Sequence, residues 1–357
     1  MSKLINCDLW SDNNGVHINA HAGGIIEFKG VYYWYGEDKT EGWEGRLAYH
    51  GVHCYKSTNM VRWEDEGIVL KCVEDKESPI SKGKRIERPK VLYNDMTEKF
   101  VMWFHSTDEG HTIAKSGCAV SDSPLGPFEF VGAKWPNAGV WPLNMFDENK
   151  RPARLIESKN YSELKFLDSE NKDITKYNLL GRDFERGQMA RDMQLFKDDD
   201  GTAYHIYASE HNSTLHIAKL TDDYLDHSDE YVRVFPNRWM EAPAMFKRNG
   251  KYYLLMSGCT SWDPNAARAA VGESPFGPWI ELSNPCKGKN KFNGHDEQTT
   301  FGCQSTYVFY IDKEDRYIAM FDEWHPENFI DSRYVWLDIE FDEIVGYRIP
   351  WKDSIRL

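Results

Sequence analysis

The chain has 357 residues, of which 41% are hydrophobic and 28% charged, the balance of a globular protein and not of a disordered one. Its net charge of −14 argues against a nucleic acid or an anionic membrane surface as partner, since both need a basic face. No apolar run approaches the roughly 20 residues of a membrane-crossing helix, and the opening MSKLINCDLW lacks the apolar stretch of a secretory leader, so a cytoplasmic location is expected.

Seven scattered cysteines without a C-x-x-C pair fit reduced thiols and no zinc cage. Helical periodicity is scarce. Short aromatic and β-branched runs broken by Gly, Pro, Asn and Asp predict an all-β protein. In chain order, a pair of strands around a polar turn recurs five times. The copies are HAGGIIEFKGVYYWYGE from His21, ERPKVLYNDMTEKFVMWFHS from Glu87, RDMQLFKDDDGTAYHIYASE from Arg191, EAPAMFKRNGKYYLLMSG from Glu241 and QSTYVFYIDKEDRYIAMFDE from Gln304. After the second and fourth copies comes S-P-x-G-P-aromatic, at Ser123 to Phe128 and Ser274 to Trp279, a tight turn between a third and a fourth strand. Four-stranded units of roughly 50 residues are the size of a propeller blade. Five of them predict one domain, a five-bladed β-propeller. The longest spacing, from Glu87 to Asp192, holds a loop insertion at about 134–186.

In a propeller the first strand of each unit lines the axis, so residues at its mouth converge. The repeat names them: His21 and Gly23, Glu87, Asp192, Glu241 and Gln304. Clustered carboxylates repel and are costly to bury, and crowding raises one of them until it can donate a proton near neutrality. Cleavage of a glycosidic bond uses that arrangement. The competing reading makes Glu87-Arg88 and Arg191-Asp192 ion pairs that brace sheet edges. Other patterns are weaker. His17 and His21 lack the Glu of a zinc-protease helix, and Asp198-Asp199-Asp200-Gly201 lacks calcium-loop spacing and reads as a hairpin turn. Cys259 and Cys303 fall near the mouth segments without a His-Asn partner and are expected as buried thiols.

Together YYWYGE, ERPKV, RDMQLF, EAPAMF, SGCTSW, QSTYV and DSRYVWL resemble glycoside hydrolase family 43, and within it the exo-β-1,3-galactanase-like subfamily. The resemblance implies a five-bladed propeller, Glu241 of EAPA as general acid and Asp192 of RDM as the group that tunes and orients it. The family's blade-1 base is missing, because HAGG stands there; the subfamily shares this, and Gln304 matches its water-holding glutamine. That amide would position water or act through its imidic tautomer. Substrate-binding roles are expected for Glu37, Glu87, Glu210, Asn212, Thr260 and Arg333, with Asp331 or Glu323 as a structural alternative partner for Arg333. Trp34, Trp103, Trp262 and Trp324 are candidates for stacking on a sugar or for packing between sheets.

The expected function is inverting, exo-acting hydrolysis of β-1,3-linked galactose from galactan or arabinogalactan-type oligosaccharides. The alternatives are an α-L-arabinofuranosidase or β-xylosidase on the same scaffold and a non-catalytic carbohydrate-binding propeller. No metal and no cofactor are expected in the reaction, though a propeller channel has room for a structural cation.

Overall fold

A computed structural model describes residues 3–150 and 179–357. Residues 151–178, the middle of the expected insertion, lie outside the described residues. The fold is an all-β propeller. Four sheets have four antiparallel strands each: His21–Phe28, Val31–Glu37, Gly51–Ser57 and Glu64–Lys71 in the first; Arg85–Asn94, Lys99–Thr107, Lys115–Ser121 and Glu129–Lys134 in the second; Met193–Lys197, Ala203–Ser209, Thr214–Leu220 and His227–Val234 in the third; Met240–Arg248, Lys251–Gly258, Arg268–Gly272 and Trp279–Leu282 in the fourth. The fifth holds Gln304–Ile311, Arg316–Glu323 and Arg333–Asp338. Both S-P-x-G-P segments connect third to fourth strands, as expected. Lys3–Ile5 pairs with Ser354–Arg356, tying the two ends of the described chain together.

The sheet count corrects the repeat count. A sixth sheet forms from Cys286–Lys287, Gly346–Pro350 and Glu340–Asp342. It carries no copy of the repeat, and it takes the chain away after Asp338, so the fifth sheet stops at three strands. Among the described residues no helix is long and apolar enough to cross a membrane.

The first strands of the five repeat-bearing sheets neighbour one another in a closed ring. An apolar cluster fills each of the five boundaries. Tyr35, Val91 and Phe104 lie between the first and second sheets, Leu92, Trp103 and Tyr207 between the second and third, and Ile206, Met245 and Leu254 between the third and fourth. Between the fourth and fifth sit Phe246, Leu255 and Phe321, and there the sixth sheet adds Tyr347 and Ile349. The fifth meets the first through Trp10, Trp34, Trp63, Tyr334 and Trp336. Alternating strands put one aromatic face toward each neighbour, which is why 14% of the chain is aromatic.

Four inner strands slip register near their start: between His21 and Gly24, Glu87 and Lys90, Glu241 and Ala244, and Ser305 and Tyr307. Within the first, second and fourth sheets a left-handed residue sits in the slip, Ala22, Arg88 and Ala242, with φ of 48°, 53° and 51°. Such bulges bend the strand and re-aim side chains. In the first sheet the slip also demands Gly23, because a Cβ there would stand 2.0 Å from the Tyr35 carbonyl oxygen.

Trp34 is 1% exposed and packs edge-on to Trp63 and Tyr334 with centroids 5.3 and 4.7 Å away. Trp34→Ala is expected to cost about 3–5 kcal/mol, the range for emptying a buried aromatic site, read as a lowered urea midpoint with an unchanged denaturant slope.

Candidate functional site

The bulged strand ends open into a cavity of about 300 Å³ on one end of the ring. Glu37, Glu87, Asp192, Asn212, Glu241 and Gln304 all line it. So do Trp262 and Trp324, whereas Trp34 and Trp103 are packed between sheets at 1% exposure. His21 is fully buried, stacked on Tyr334 at 5.0 Å, and leaves Ala22 at the cavity wall. Beneath the site Lys90 reaches into the channel and donates to the carbonyls of Ala22 and Arg88, at 2.8 and 3.3 Å. Burial, then the Arg88 charge, brings the Lys90 ammonium down to about 7. A wider bowl of about 820 Å³ opens among hairpin turns of the inner strands. Three of its cations pair with carboxylates beside it: Lys197 with Asp95, Lys247 with Asp198 and Asp199, Arg248 with Asp315. The smaller cavity holds the chemistry.

Three expected binding residues lie elsewhere. Glu210 is 4% exposed and takes two bonds from Arg233, both 2.6 Å, and one from His216 at 2.9 Å. Burial would raise its carboxyl, but those donors outweigh it and bring it to about 2. Thr260 is exposed and closes a local turn, donating to the Asp263 carbonyl and accepting from Asn265; Ser261 and Trp262 face the cavity instead. Arg333 pairs with Asp331 at 2.7 Å, the structural alternative.

Of the two pairs in the competing reading, Glu87-Arg88 gives way to other partners. Adjacent strand residues point to opposite faces, so Glu87 pairs with Arg85 at 2.8 Å, while Arg88 reaches across the axis. The Arg88 Nε lies 2.8 Å from Asp192 Oδ2, its Nη2 donates to Gln304 Oε1 at 2.6 Å, and its Nη1 donates to the Ser305 carbonyl at 3.1 Å. Its backbone N–H donates to Glu37 at 2.9 Å, and Glu37 also pairs with Lys39. Asp192 Oδ2 accepts the Ala242 N–H at 3.1 Å, which fixes it beside Glu241.

Glu241 has a different environment. Its Oε1 accepts from Asn212 Nδ2 at 2.6 Å and from the Cys259 thiol at 3.1 Å. Burial, then the Asp192 charge, raises its carboxyl to about 7. Burial also pushes the Cys259 thiol up, with Glu241 adding to it, so the group stays protonated. Cys303 is buried as expected; Cys259 is only partly so, and lines the site. Glu87 is the opposite case. Burial would raise it, but His111, His105 and Arg85 hold it well below the usual carboxylate range.

Glu87, His105 and His111 bring ligand-type atoms within 4.8 Å of one another, a spacing that could hold a metal ion. Arg85 already places a cation on that carboxylate, which opposes a second. Sequence reasoning missed Arg85 and, except as a bracing partner, Arg88, along with Lys39, His105 and His111, and it took Cys259 for a buried thiol. The signal for the first two was present in RIERPK, where basic residues flank Glu87.

A buried acid near neutrality, a carboxylate fixed beside it and an amide held by donors form a set suited to protonating a leaving oxygen. Residues 168–332 match the family model Glycosyl hydrolases family 43. A solved GH43 β-1,3-galactosidase with galactodeoxynojirimycin is 43% identical, with a TM-score of 0.89, over 99% of this chain and 100% of that one. An exo-β-1,3-galactanase from Clostridium thermocellum is 30% identical, with a TM-score of 0.78, over 99% of this chain and 66% of that one. The β-D-galactofuranosidase xynD of Aspergillus niger is 28% identical over 166 residues, so the match spans 46% of this chain and 46% of that relative.

Arg88 is 4% exposed and its charge lowers the Glu241 carboxyl. Arg88→Met should therefore move the Glu241 midpoint, followed by carboxyl ¹³C resonance, above about 7. It should also cost about 3–5 kcal/mol in chemical unfolding, the scale for removing one partner of a buried ion pair. An unmoved midpoint would show that the Arg88 charge does not reach the acid.

Proposed function

The chain belongs to glycosyl hydrolases family 43, and we propose that it removes β-1,3-linked galactose from the non-reducing end of galactan or arabinogalactan-type oligosaccharides, with inversion. The observation that carries the reading is Glu241, a carboxyl on the cavity wall that burial and the Asp192 charge raise to about 7 against the opposing charges of Arg88 and Arg191. In this reading Glu241 protonates the glycosidic oxygen and Asp192, 3.1 Å from the Ala242 N–H, keeps its charge near and its carboxyl in place. Gln304 holds the water.

Support for inversion comes from the ion pairs of the other carboxylates. A retaining enzyme needs a free carboxylate as nucleophile. Glu37 is held by Lys39, Glu87 by Arg85, and Asp192 by Arg88. Water then attacks directly. The exo mode is supported by the cavity's small volume and by Lys90 below it, which leave room for a chain end. We take the five repeat-bearing sheets as the blades of a single domain and the sixth sheet as a wedge outside them. The choice of galactose rests on the relatives, one of them a β-1,3-galactosidase and one an exo-β-1,3-galactanase.

The test is turnover of β-1,3-galactobiose against nitrophenyl galactoside, arabinofuranoside and xyloside. Galactose release is expected; release of arabinose or xylose without galactose rejects the substrate, and sugar binding without any turnover rejects the enzyme. Glu241→Gln should lower kcat on galactobiose by roughly 10²–10⁴-fold while sugar binding persists. The acid works only when protonated. Since its midpoint is about 7, kcat/KM should be flat on the acid side of that value and fall tenfold per unit on the alkaline side.

A further inference from the structure

We infer that Glu241 carries its acid proton on Oε2 alone, and that Cys259 and Asn212 are the positioning residues that put it there. The inference rests on the hydrolase reading for its consequence and on geometry for its substance.

Both donors fall on the same oxygen. Asn212 Nδ2 lies 2.6 Å and Cys259 Sγ 3.1 Å from Glu241 Oε1. Among the described residues no hydrogen bond falls on Oε2. An amide nitrogen has only hydrogens to offer, and the Cys259 thiol keeps its own because burial and the adjacent Glu241 raise it. A proton on Oε1 would compete with those two hydrogens for the oxygen's lone pairs, and at least one of the two bonds would be lost. The neutral acid therefore has Oε1 as carbonyl and Oε2 as hydroxyl, with its proton directed to one place.

A second observation supports the device. Glu210, His211 and Asn212 follow one another in the left-handed region, with φ of 49°, 58° and 67°, where non-glycine residues are strained. The turn is held by Glu210, through Arg233 and His216, and by Ser213 Oγ on the Glu210 carbonyl at 2.7 Å. Its outcome is to deliver the Asn212 amide to Glu241. Glu210 thus acts at one remove, as the anchor of the turn. The thiol fits the same purpose. A sulfur hydrogen is a weak donor, so it orients the acid without stabilising the ionised form as a hydroxyl would.

The experiment follows the Glu241 carboxyl ¹³C midpoint, without substrate, in wild type, Cys259→Ala, Cys259→Ser and Asn212→Ala. Loss of a donor to the carboxylate should raise the midpoint by roughly 0.5–1 pH unit in both Ala variants, and Cys259→Ser should bring it back to the wild-type value or below. Turnover adds a second readout. On β-1,3-galactobiose, whose leaving group needs a proton, both Ala variants should lose about tenfold in kcat with KM within about twofold. On dinitrophenyl β-galactoside, whose leaving group needs none, the loss should stay under about threefold. If either Ala variant leaves the midpoint in place, or loses both substrates equally, the inference falls. If Cys259→Ala does not fold, Cys259→Ser and Asn212→Ala decide it by the same criterion. A wild type that cleaves neither galactoside overturns the proposed function, and the titration still judges the proton's place.

Discussion

The site is organised by one buried guanidinium. Arg88 comes from the second sheet, pairs with Asp192 at the mouth of the third and holds Gln304 and Ser305 of the fifth. Its own N–H reaches Glu37 of the first. A chain with net charge −14 gathers Glu37, Glu87, Asp192 and Glu241 around one cavity, and repulsion among them would open the ring without compensation. The compensation is unequal. Three of these carboxylates have a cation of their own, in Lys39, Arg85 and Arg88. Glu241 forms no salt bridge among the described residues and is met by an amide and a thiol. That inequality holds Glu87 well below the usual carboxylate range and leaves Glu241 poised near neutrality.

The backbone makes this inequality achievable. A regular strand would send residues on either side of Glu87 or Glu241 to alternate faces and leave their carboxyls along the sheet. The register slips at His21, Glu87, Glu241 and Ser305 turn the strand ends toward the axis. The left-handed residue inside a slip is a functional one in the case of Arg88, whose N–H serves Glu37 while its side chain crosses the channel. Unfavourable φ values of this kind persist where the surroundings over-determine them. Here the surroundings are rigid aromatic boundaries between sheets, densest where the fifth sheet closes on the first.

Much of this could be read from the residues, because the repeat marks equivalent places. Each repeat copy became the first hairpin of a sheet, and Glu37, Glu87, Asp192, Asn212, Glu241 and Gln304 reached the cavity. The sixth sheet escaped notice because its strands are short, non-repeating and distant in sequence, Cys286–Lys287 pairing in parallel with Gly346–Pro350. Sequence adjacency misled at Glu87-Arg88, since the bulge and the strand's alternation separate the two side chains. Thr260 lies just short of the cavity: it closes a turn with Asp263 and Asn265, and the next two residues, Ser261 and Trp262, line the cavity. Glu210 sits beside the site in sequence, but Arg233 on another strand of the same sheet claims it, a contact that no local pattern announces.

The surroundings of Gln304 also choose between its two conceivable roles. Its Oε1 accepts from Arg88 Nη2 at 2.6 Å and from Trp324 Nε1 at 3.1 Å, and its Nε2 donates to Ser257 Oγ at 3.1 Å. Guanidinium and indole nitrogens can only donate, which fixes the oxygen's orientation and fills both its lone pairs. The imidic tautomer places a hydrogen on that same oxygen, against two donors, one of them cationic. The neighbours therefore enforce the ordinary amide. What remains for a water is the second hydrogen of Nε2, which binds the water through a lone pair and leaves its protons facing away. Gln304 can place a nucleophile but cannot take its proton. Reaction by this route depends on a sugar that departs largely before water attacks, in an oxocarbenium-like transition state, after which the added water loses its proton to solvent and Glu241 regains one from solvent. In the proposed hydrolysis the demand then falls on the proton that Glu241, raised to about 7, would give the leaving oxygen.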